Sequence, residues 1–287
     1  MSCLTPWVSF DAIKSFANSA FVTSLFGALA GAFAGARAAQ QIAERSKERE
    51  QLVDQIRVSN SAIVIAFFSC NSAMTIQEQH VKQIYKQYQE DKATISQAIS
   101  IGRQSQTGQQ PIHFTADMRR FPPPVAPLAT LKELVFRNLS SYGRPLALVS
   151  AIEQAYAGME DSVKRRDALI HRFASGQILQ EEFINRYFGW PLPNSDTDQE
   201  FSDLIEAVHS YLNDIIFFSA LLCEDLEEYA VNIRLLYVAK FGKNAPTVSS
   251  VDLSSPRQRG IIPPSSDYVS WTTSFPKVKS NAASGNS

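Results

Sequence analysis

Residues 15–36 have the sequence SFANSAFVTSLFGALAGAFAGA, and no residue between Lys14 and Arg37 carries a charge. An α-helix of this length is about 30 Å long, which matches the hydrocarbon core of a bilayer. We therefore predict a transmembrane helix over 15–36, with the lipid bilayer as its partner. A short extracytoplasmic N-terminus over 1–14 would precede it.

Three glycines, Gly27, Gly31 and Gly35, repeat every four residues inside this stretch. Glycines at that spacing lie on one helix face and let a second helix backbone approach closely in lipid. In water, a glycine inside a helix costs about 1 kcal/mol relative to alanine. The pattern favours helix–helix association in the membrane, and so a homo-oligomer. An anchor rich in small residues but without a specific partner is the plainer interpretation.

Other interpretations of the stretch stay open. Ala34-Gly35-Ala36 has the small-x-small form of a signal-peptide cleavage site, so 15–36 could be removed after secretion. Basic residues follow at once, and they oppose translocation. A soluble, glycine-rich core helix is a further alternative.

The distribution of basic residues predicts the orientation. Lys14 precedes the stretch, whereas several basic residues follow it: Arg37, Arg45, Lys47, Arg49 and Arg57. Lys and Arg near the ends of a span favour the cytoplasmic side. We therefore expect a single-pass protein of the cell (inner) membrane, with the bulk of the chain in the cytoplasm.

Residues 37–101 are predicted to continue the helix, because neither Pro nor Gly occurs from 38 to 101. Apolar residues recur there at spacings of three and four, which is a heptad seam. Its strongest positions are Ile56, Ile63, Phe67, Met74, Val81 and Ile84. Residues 58–77 also lack charge, and a second membrane span is the alternative to a buried helix. Their many Ser and Asn residues would need partners in lipid.

Residues 102–127 are rich in Gln and Pro, with Pro122, Pro123 and Pro124 in a row, and this predicts an extended linker. Helical patterns return over 128–243. Pro145 marks one helix start, and two glycines mark helix ends at Gly176 and Gly242. Two pairs have capping-box spacing: Thr130 with Glu133, and Thr197 with Glu200. The predicted fold class is all-α, an elongated helical bundle or antiparallel coiled coil.

Residues 244–287 are Ser- and Pro-rich with little apolar periodicity, so we predict a disordered C-terminal tail. Its apolar residues exceed what a spacer needs, and they suggest docking on a partner or on the bundle: Ile261, Ile262, Tyr268, Trp271 and Phe275.

Composition excludes several classes of protein. Lys plus Arg is 27 and Asp plus Glu is 28, a formal net charge of −1, which argues against nucleic-acid binding. The three cysteines are far apart, so neither a disulfide framework nor a metal site is expected. Cys70 and Cys223 lie in apolar helical stretches and are predicted to be buried.

Few residues suggest chemistry. Glu206 and His209 form one E-x-x-H pair, but di-metal bundles need a second copy, and the sequence has none. An acidic run over 224–228 is interpreted as a solvated helix face or an attractor of a basic partner. No phosphate-binding loop or nucleophile elbow occurs, and we expect no cofactor and no catalytic residue.

The leading hypothesis is a non-catalytic, membrane-anchored interaction or scaffold protein with an unknown protein partner. The alternative is a membrane-active effector whose spans form a pore or lesion. Polar residues should then line the span, and apart from Ser15 at its first position it offers only Asn18, Ser19, Thr23 and Ser24. The second alternative is a helical metal protein or enzyme without a recognisable motif.

Overall fold

Helices make up most of the structure, a computed structural model that describes residues 20–104, 114–139 and 143–277. In chain order they are α1 (Ala20–Ile76), α2 (Lys82–Gln104), α3 (Leu128–Glu133), α4 (Arg144–Ala174), α5 (Phe183–Phe188), α6 (Glu200–Phe241), α7 (Ser254–Gln258) and α8 (Val269–Ser274). One π-helical turn, Gln77–Val81, joins α1 to α2 without a break. Within these residues no strand forms, and one isolated β-bridge pairs Pro191 with Thr197. The all-α class is therefore confirmed.

The chain divides into two compact units, Met1–Asp54 and Gln55–Ser287. The described part of the first unit is the N-terminal portion of α1, residues 20–54. The second unit contains the hydrophobic core, which α1, α2, α4 and α6 share with the C-terminal segment.

Helix α6 runs antiparallel to α1 and α2. Near one end of the bundle the Tyr229 hydroxyl donates to Gln55 Oε1 at 2.5 Å. Near the other end the Tyr88 hydroxyl donates to Ser202 Oγ at 2.9 Å. Antiparallel packing of this kind is ordinary for helical bundles.

Helix α4 is also antiparallel to α6. Arg144 pairs with Asp225 at its start, and Arg165 pairs with Glu200 beyond its middle. Because both α1 and α4 are antiparallel to α6, they run parallel to each other. A short turn does not join two parallel helices, so the chain between them has to travel back along the bundle.

Residues 114–139 make this return. They form no helix or strand up to residue 127, and residues 105–113 lie outside the described part of the chain. The Val125 amide donates to Ser72 Oγ at 3.4 Å, and Gln55 Nε2 donates to the Asn138 carbonyl at 3.0 Å. The linker therefore lies along α1 as part of the fold.

Close packing between α4 and α6 depends on one glycine. A Cβ atom at Gly158 would lie 2.4 Å from Cζ of the Tyr211 ring, a distance that real side chains do not show. The ring occupies the space that the missing side chain leaves. Small residues on α1 allow similar closeness, since Ala62, Ala66 and Ala73 are fully buried.

The prediction of a disordered tail is wrong for residues 244–277, while 278–287 lie outside the described residues. Leu253, Ile261 and Ile262 belong to the core and are 4–7 % exposed. The Asn60 side chain holds the backbone of this segment, donating to the Thr247 carbonyl and accepting from the Ser249 amide, both at 2.8 Å. A few well-placed apolar residues and one amide order a segment whose overall composition suggests disorder.

Candidate functional site

The N-terminal part of α1 is exposed over its whole described length. Every described side chain from 24 to 47 is exposed, including those of large apolar residues. Leu25, Phe26, Leu29 and Phe33 are 46, 67, 57 and 70 % exposed. Water-soluble monomers rarely expose a contiguous apolar surface of this kind, and such surfaces mark sites for lipid or protein.

The three glycines predicted to mediate association lie on this exposed helix. Among the described residues, a Cβ atom built at Gly27, Gly31 or Gly35 would meet no atom within 4 Å. Packing among the residues that the structure describes therefore does not require glycine at any of them. The groove that they form is open to a further helix.

Two helical stretches are long and apolar enough to cross a membrane, Ser24–Ile101 and Glu200–Phe241. Length and composition alone support this, because core helices of soluble proteins pass the same test. In the two stretches, 44 % and 56 % of the most apolar part is buried inside the fold. Since residues 24–47 are all exposed, the most apolar part of the first stretch must include residues after 47, where α1 packs in the bundle. Both stretches therefore fit a core helix of a bundle as well as a membrane span.

Residues 58–77, the candidate second span, pack inside the bundle. Ala62, Ile63, Ala66 and Cys70 have no exposed surface. Ser69, one of the polar residues that argued against lipid, donates its hydroxyl to the Tyr156 hydroxyl at 3.0 Å. These contacts support the interpretation of a buried bundle helix.

The predicted heptad seam faces other helices of the same chain. Ile56 and Ile63 are fully buried, Met74, Val81 and Ile84 are 2–7 % exposed, and Phe67 is partly buried. The Ile63 carbonyl accepts a contact from Cys223 Sγ on α6 at 3.8 Å. The apolar residues of the seam are thus packed against other helices of the same chain. Ile42, which lies earlier in α1 at the same spacing of apolar residues, is 71 % exposed.

A buried polar cluster joins the three long helices at one level. Ser69 of α1 bonds to Tyr156 of α4, and the Ser219 hydroxyl of α6 donates to Ser69 Oγ at 3.2 Å. Burial raises the pKa of Tyr156 to about 12. This phenol stays protonated at neutral pH, so the cluster is suited to fixing helix register.

Both cysteines of the described chain are buried, as predicted. Cys70 is fully buried and Cys223 is 2 % exposed. Burial raises the pKa of the Cys70 thiol to about 12 and that of Cys223 further. Since the thiolate is the reactive form, neither thiol is expected to be reactive at neutral pH. Cys3 lies outside the described residues.

Glu206 and His209, the one E-x-x-H pair, both contact the Tyr85 side chain in the structure. Glu206 accepts from the Tyr85 hydroxyl at 2.8 Å and from Gln89 Nε2 at 2.5 Å. His209 stacks on the Tyr85 ring with centroids 4.0 Å apart, and burial lowers its pKa. In the part of the chain that the structure describes, no group of three His, Cys, Asp or Glu residues is placed to hold a metal ion.

Arg166 is a buried charge that sequence patterns did not reveal. Its side chain has no exposed surface, and its guanidinium lies over the rings of Phe121 and Phe201 at 5.1 and 5.9 Å. Asp167 Oδ1 is 3.8 Å from Nη1, too far for a hydrogen bond. The adjoining cavity measures about 10 Å³, room for about one water molecule. It is too small for an organic ligand.

The acidic run on α6 is paired with basic residues of the same chain. Glu224 bonds to Arg257 and Glu228 to Lys277, both from the C-terminal segment. Asp225 accepts from Arg144. Part of the run, interpreted from sequence as a solvated face or as an attractor of a basic partner, is thus paired within the chain.

An open apolar groove of about 510 Å³ lies between α4 and the C-terminal segment. Leu146, Ala147 and Ala151 line one side, and Trp271 and Phe275 line the other. The polar side chains in its lining are Ser150 and Gln154, and the Ser150 hydroxyl already donates to the Leu146 carbonyl at 3.1 Å.

Comparison with known proteins gives no further assignment: no protein-family model, curated protein or solved structure matches the chain.

Proposed function

We propose that the chain is a non-catalytic, membrane-anchored helical interaction protein. Residues 15–36 cross the cell (inner) membrane once, and the chain from residue 37 onwards lies in the cytoplasm. The carrying observation is an uncharged stretch of helix, residues 24–36, whose large apolar side chains are exposed among the described residues. The bundle supplies surfaces for an unknown protein partner.

Transfer into lipid accounts for the exposed side chains. Burying one Leu or Phe side chain contributes about 1.5–3 kcal/mol, so four contribute on the order of 6–12 kcal/mol. Residues 20–36 alone give a helix about 26 Å long, and residues 15–19 of the proposed span lie outside the described part of the chain. This is sufficient for one span.

The basic residues after Arg37 support the cytoplasmic assignment. Each Lys or Arg close to an anionic cytoplasmic leaflet contributes about 1 kcal/mol. Arg37, Arg45 and Lys47 are all exposed on the helix. They also support retention of the helix over its cleavage as a signal peptide.

Self-association through Gly27, Gly31 and Gly35 is part of the proposal. The open groove at these glycines supports it, because close backbone approach is what holds helices together in lipid. The heptad seam is filled by the chain's own helices, so the glycine face is the better candidate for contact between copies.

Fractionation with carbonate washing tests the anchor. We expect the full chain in the membrane pellet with an intact N-terminus, and we expect protease to cut 38–243 only in inverted vesicles. A control chain with Leu25 and Leu29 both changed to Glu should move to the supernatant. Release of the unaltered chain by carbonate, or an N-terminus at Arg37, would contradict the proposal. Planar-bilayer conductance separates an anchor from a pore.

A further inference from the structure

The C-terminal segment consists of two parts that contact the bundle differently. In the first, residues 244–262, backbone groups bond to the Asn60 side chain, and Leu253, Ile261 and Ile262 are buried. This part cannot leave without breaking backbone hydrogen bonds and opening the core.

The second part, residues 263–277, is here called the terminal segment, and none of its residues is buried. Among the described residues, its backbone hydrogen bonds are made within itself: the Asp267 amide donates to the Pro264 carbonyl at 3.1 Å, and the Phe275 amide to the Trp271 carbonyl at 3.0 Å. It can therefore move as a unit without leaving backbone groups unpaired.

Two aromatic side chains hold the terminal segment on α6. The Tyr268 ring stacks on Phe217 with centroids 3.8 Å apart and planes 5° apart. Trp271 lies on Phe218 with centroids 4.9 Å apart. Phe217 and Phe218 are only 3 % and 7 % exposed. A few aromatic anchors in small pockets are the usual energetic centre of a docking surface.

Polar contacts surround these anchors. The Tyr268 hydroxyl donates to Asp214 Oδ1 at 2.9 Å. Lys277 pairs with Glu228, and both side chains are about half exposed. This ion pair therefore contributes little binding free energy and mainly positions the segment along α6. We call Asp214, Phe217, Phe218 and Glu228 the aromatic face of α6.

We propose that the aromatic face of α6 is a docking surface between copies, on which the terminal segment of a second copy takes the place of the chain's own. Opening would expose Phe217 and Phe218 to water, so the open form needs an occupant. The same segment from another copy supplies the same rings, the same phenol for Asp214 and the same cation for Glu228. Exchange needs only a changed path at Pro263-Pro264, directly after the buried Ile262.

The surface is separate from the glycine face, so this inference does not depend on the membrane anchor. A shared membrane would raise the local concentration of copies and favour exchange.

A peptide in trans tests the surface. The probe is a labelled peptide with the sequence of residues 263–277, PPSSDYVSWTTSFPK. In the full chain carrying Tyr268→Ala and Trp271→Ala, the chain's own segment loses its anchors and the face opens. We expect this variant to bind the probe at least about tenfold more tightly than the unaltered chain, where the closed segment competes. Circular dichroism checks that the variant is folded. No binding to the folded variant would overturn the proposal.

Isotope-mixed crosslinking identifies the occupant in a chain whose anchors are intact. A benzophenone amino acid replaces the exposed Val269, and ¹⁴N and ¹⁵N copies are mixed before illumination. We expect mixed-isotope crosslinks between the terminal segment and the α6 peptide containing Asp214. A crosslinker at Leu179, which is 60 % exposed, is the control for random contact. Same-isotope pairs alone would overturn the second-copy assignment, even if the probe peptide binds. A Gly31→Leu chain should still give mixed pairs, which separates this surface from the glycine face.

Discussion

Arg144 and Asp225 form a buried ion pair that fixes the start of α4 to α6. Arg144 Nε lies 2.7 Å from Asp225 Oδ2, a second guanidinium nitrogen contacts Oδ1, and the side chains are 11 % and 5 % exposed. Such a two-contact pair combines charge with a fixed geometry. Loss of either side chain would leave the charge of the other one unpaired in the interior.

Removing one partner should therefore cost more than removing both. We expect Arg144→Met to lower the free energy of unfolding by about 3–5 kcal/mol, because Asp225 would remain buried and unpaired. The double variant Arg144→Met/Asp225→Leu should recover much of that loss. Urea unfolding of the purified chain measures both, and a double variant no more stable than the single one would contradict the argument.

Gly31→Leu should reduce association in the membrane. A leucine at this position fills the groove that Gly27, Gly31 and Gly35 form and keeps backbones apart. The fraction of crosslinked oligomer should fall while the chain stays membrane-inserted, since Leu makes the span more apolar. Leu29→Ala is the control. Unchanged crosslinking in Gly31→Leu would mean that the span is a plain anchor.

Gly158→Ala should destabilise the bundle. Its new Cβ would collide with the Tyr211 ring, and overpacking of this kind costs about 1–3 kcal/mol. Gly27→Ala is a matched control, because a Cβ there meets nothing within 4 Å among the described residues. Thermal unfolding followed by circular dichroism should separate the two. Equal stability would show that the Tyr211 ring moves aside freely.

Neighbouring residues on α1 offer a test of which face is buried. Ile63 is fully buried and Val64 is 59 % exposed. Ile63→Asp places an unpaired charge in the core and should unfold the bundle or cost more than about 4 kcal/mol. Val64→Asp should cost less than about 1 kcal/mol. Similar losses at both positions, measured by urea unfolding, would contradict the packing described for α1.

Stability should decrease in mild acid because of His209. Burial makes the pKa of His209 lower in the folded chain than in the unfolded chain, with Tyr85 stacked on its ring and Glu206 opposing part of the shift. The unfolded chain therefore binds the proton first. Stability from this group is complete above an ordinary histidine pKa of about 6.5 and is lost as the pH falls below it.

The measurement is urea unfolding at pH 7.5 and pH 5.5. We expect the unaltered chain to lose more stability between these values than His209→Gln, which cannot titrate. An identical loss in both chains would assign the pH dependence to other groups.

Helix ends marked by glycine and proline were predictable from sequence. Pro145 lies in the first turn of α4, and Gly176 and Gly242, with φ of +70° and +91°, follow the ends of α4 and α6. These residues act through backbone geometry of their own, so no tertiary contact is needed to identify them.

The capping boxes were predicted wrongly. Thr130 lies inside α3, which begins at Leu128, and α6 begins at Glu200, whose amide donates to Asp198 Oδ1 at 3.1 Å. The motif specifies a spacing, but several polar residues near a helix start compete for the same amide.

Features that depend on distant partners were not predictable. Asn60 orders residues 247–249 from 187 positions away in the chain, and no local pattern encodes this contact. Arg166 is buried under the rings of Phe121, from the linker, and Phe201, from α6. Its burial therefore depends on two segments that are distant in the sequence. Likewise, the exposed helix around Gly31 was recognisable from its own sequence, whereas the aromatic face of α6 needed the folded terminal segment.

The parallel arrangement of α1 and α4 has a consequence for synthesis on the ribosome. Cys70 of α1 contacts the carbonyl of Ile216, 146 residues later in the chain. At a synthesis rate of about 5–20 residues per second, the surface of α1 that faces α6 is made roughly 7–30 s before its partner on α6. The linker and α4, whose Tyr156 bonds to Ser69, emerge earlier and cover other parts of α1, but the surface that faces α6 has no partner until α6 is made. Nascent chains should therefore require a holding chaperone during this interval.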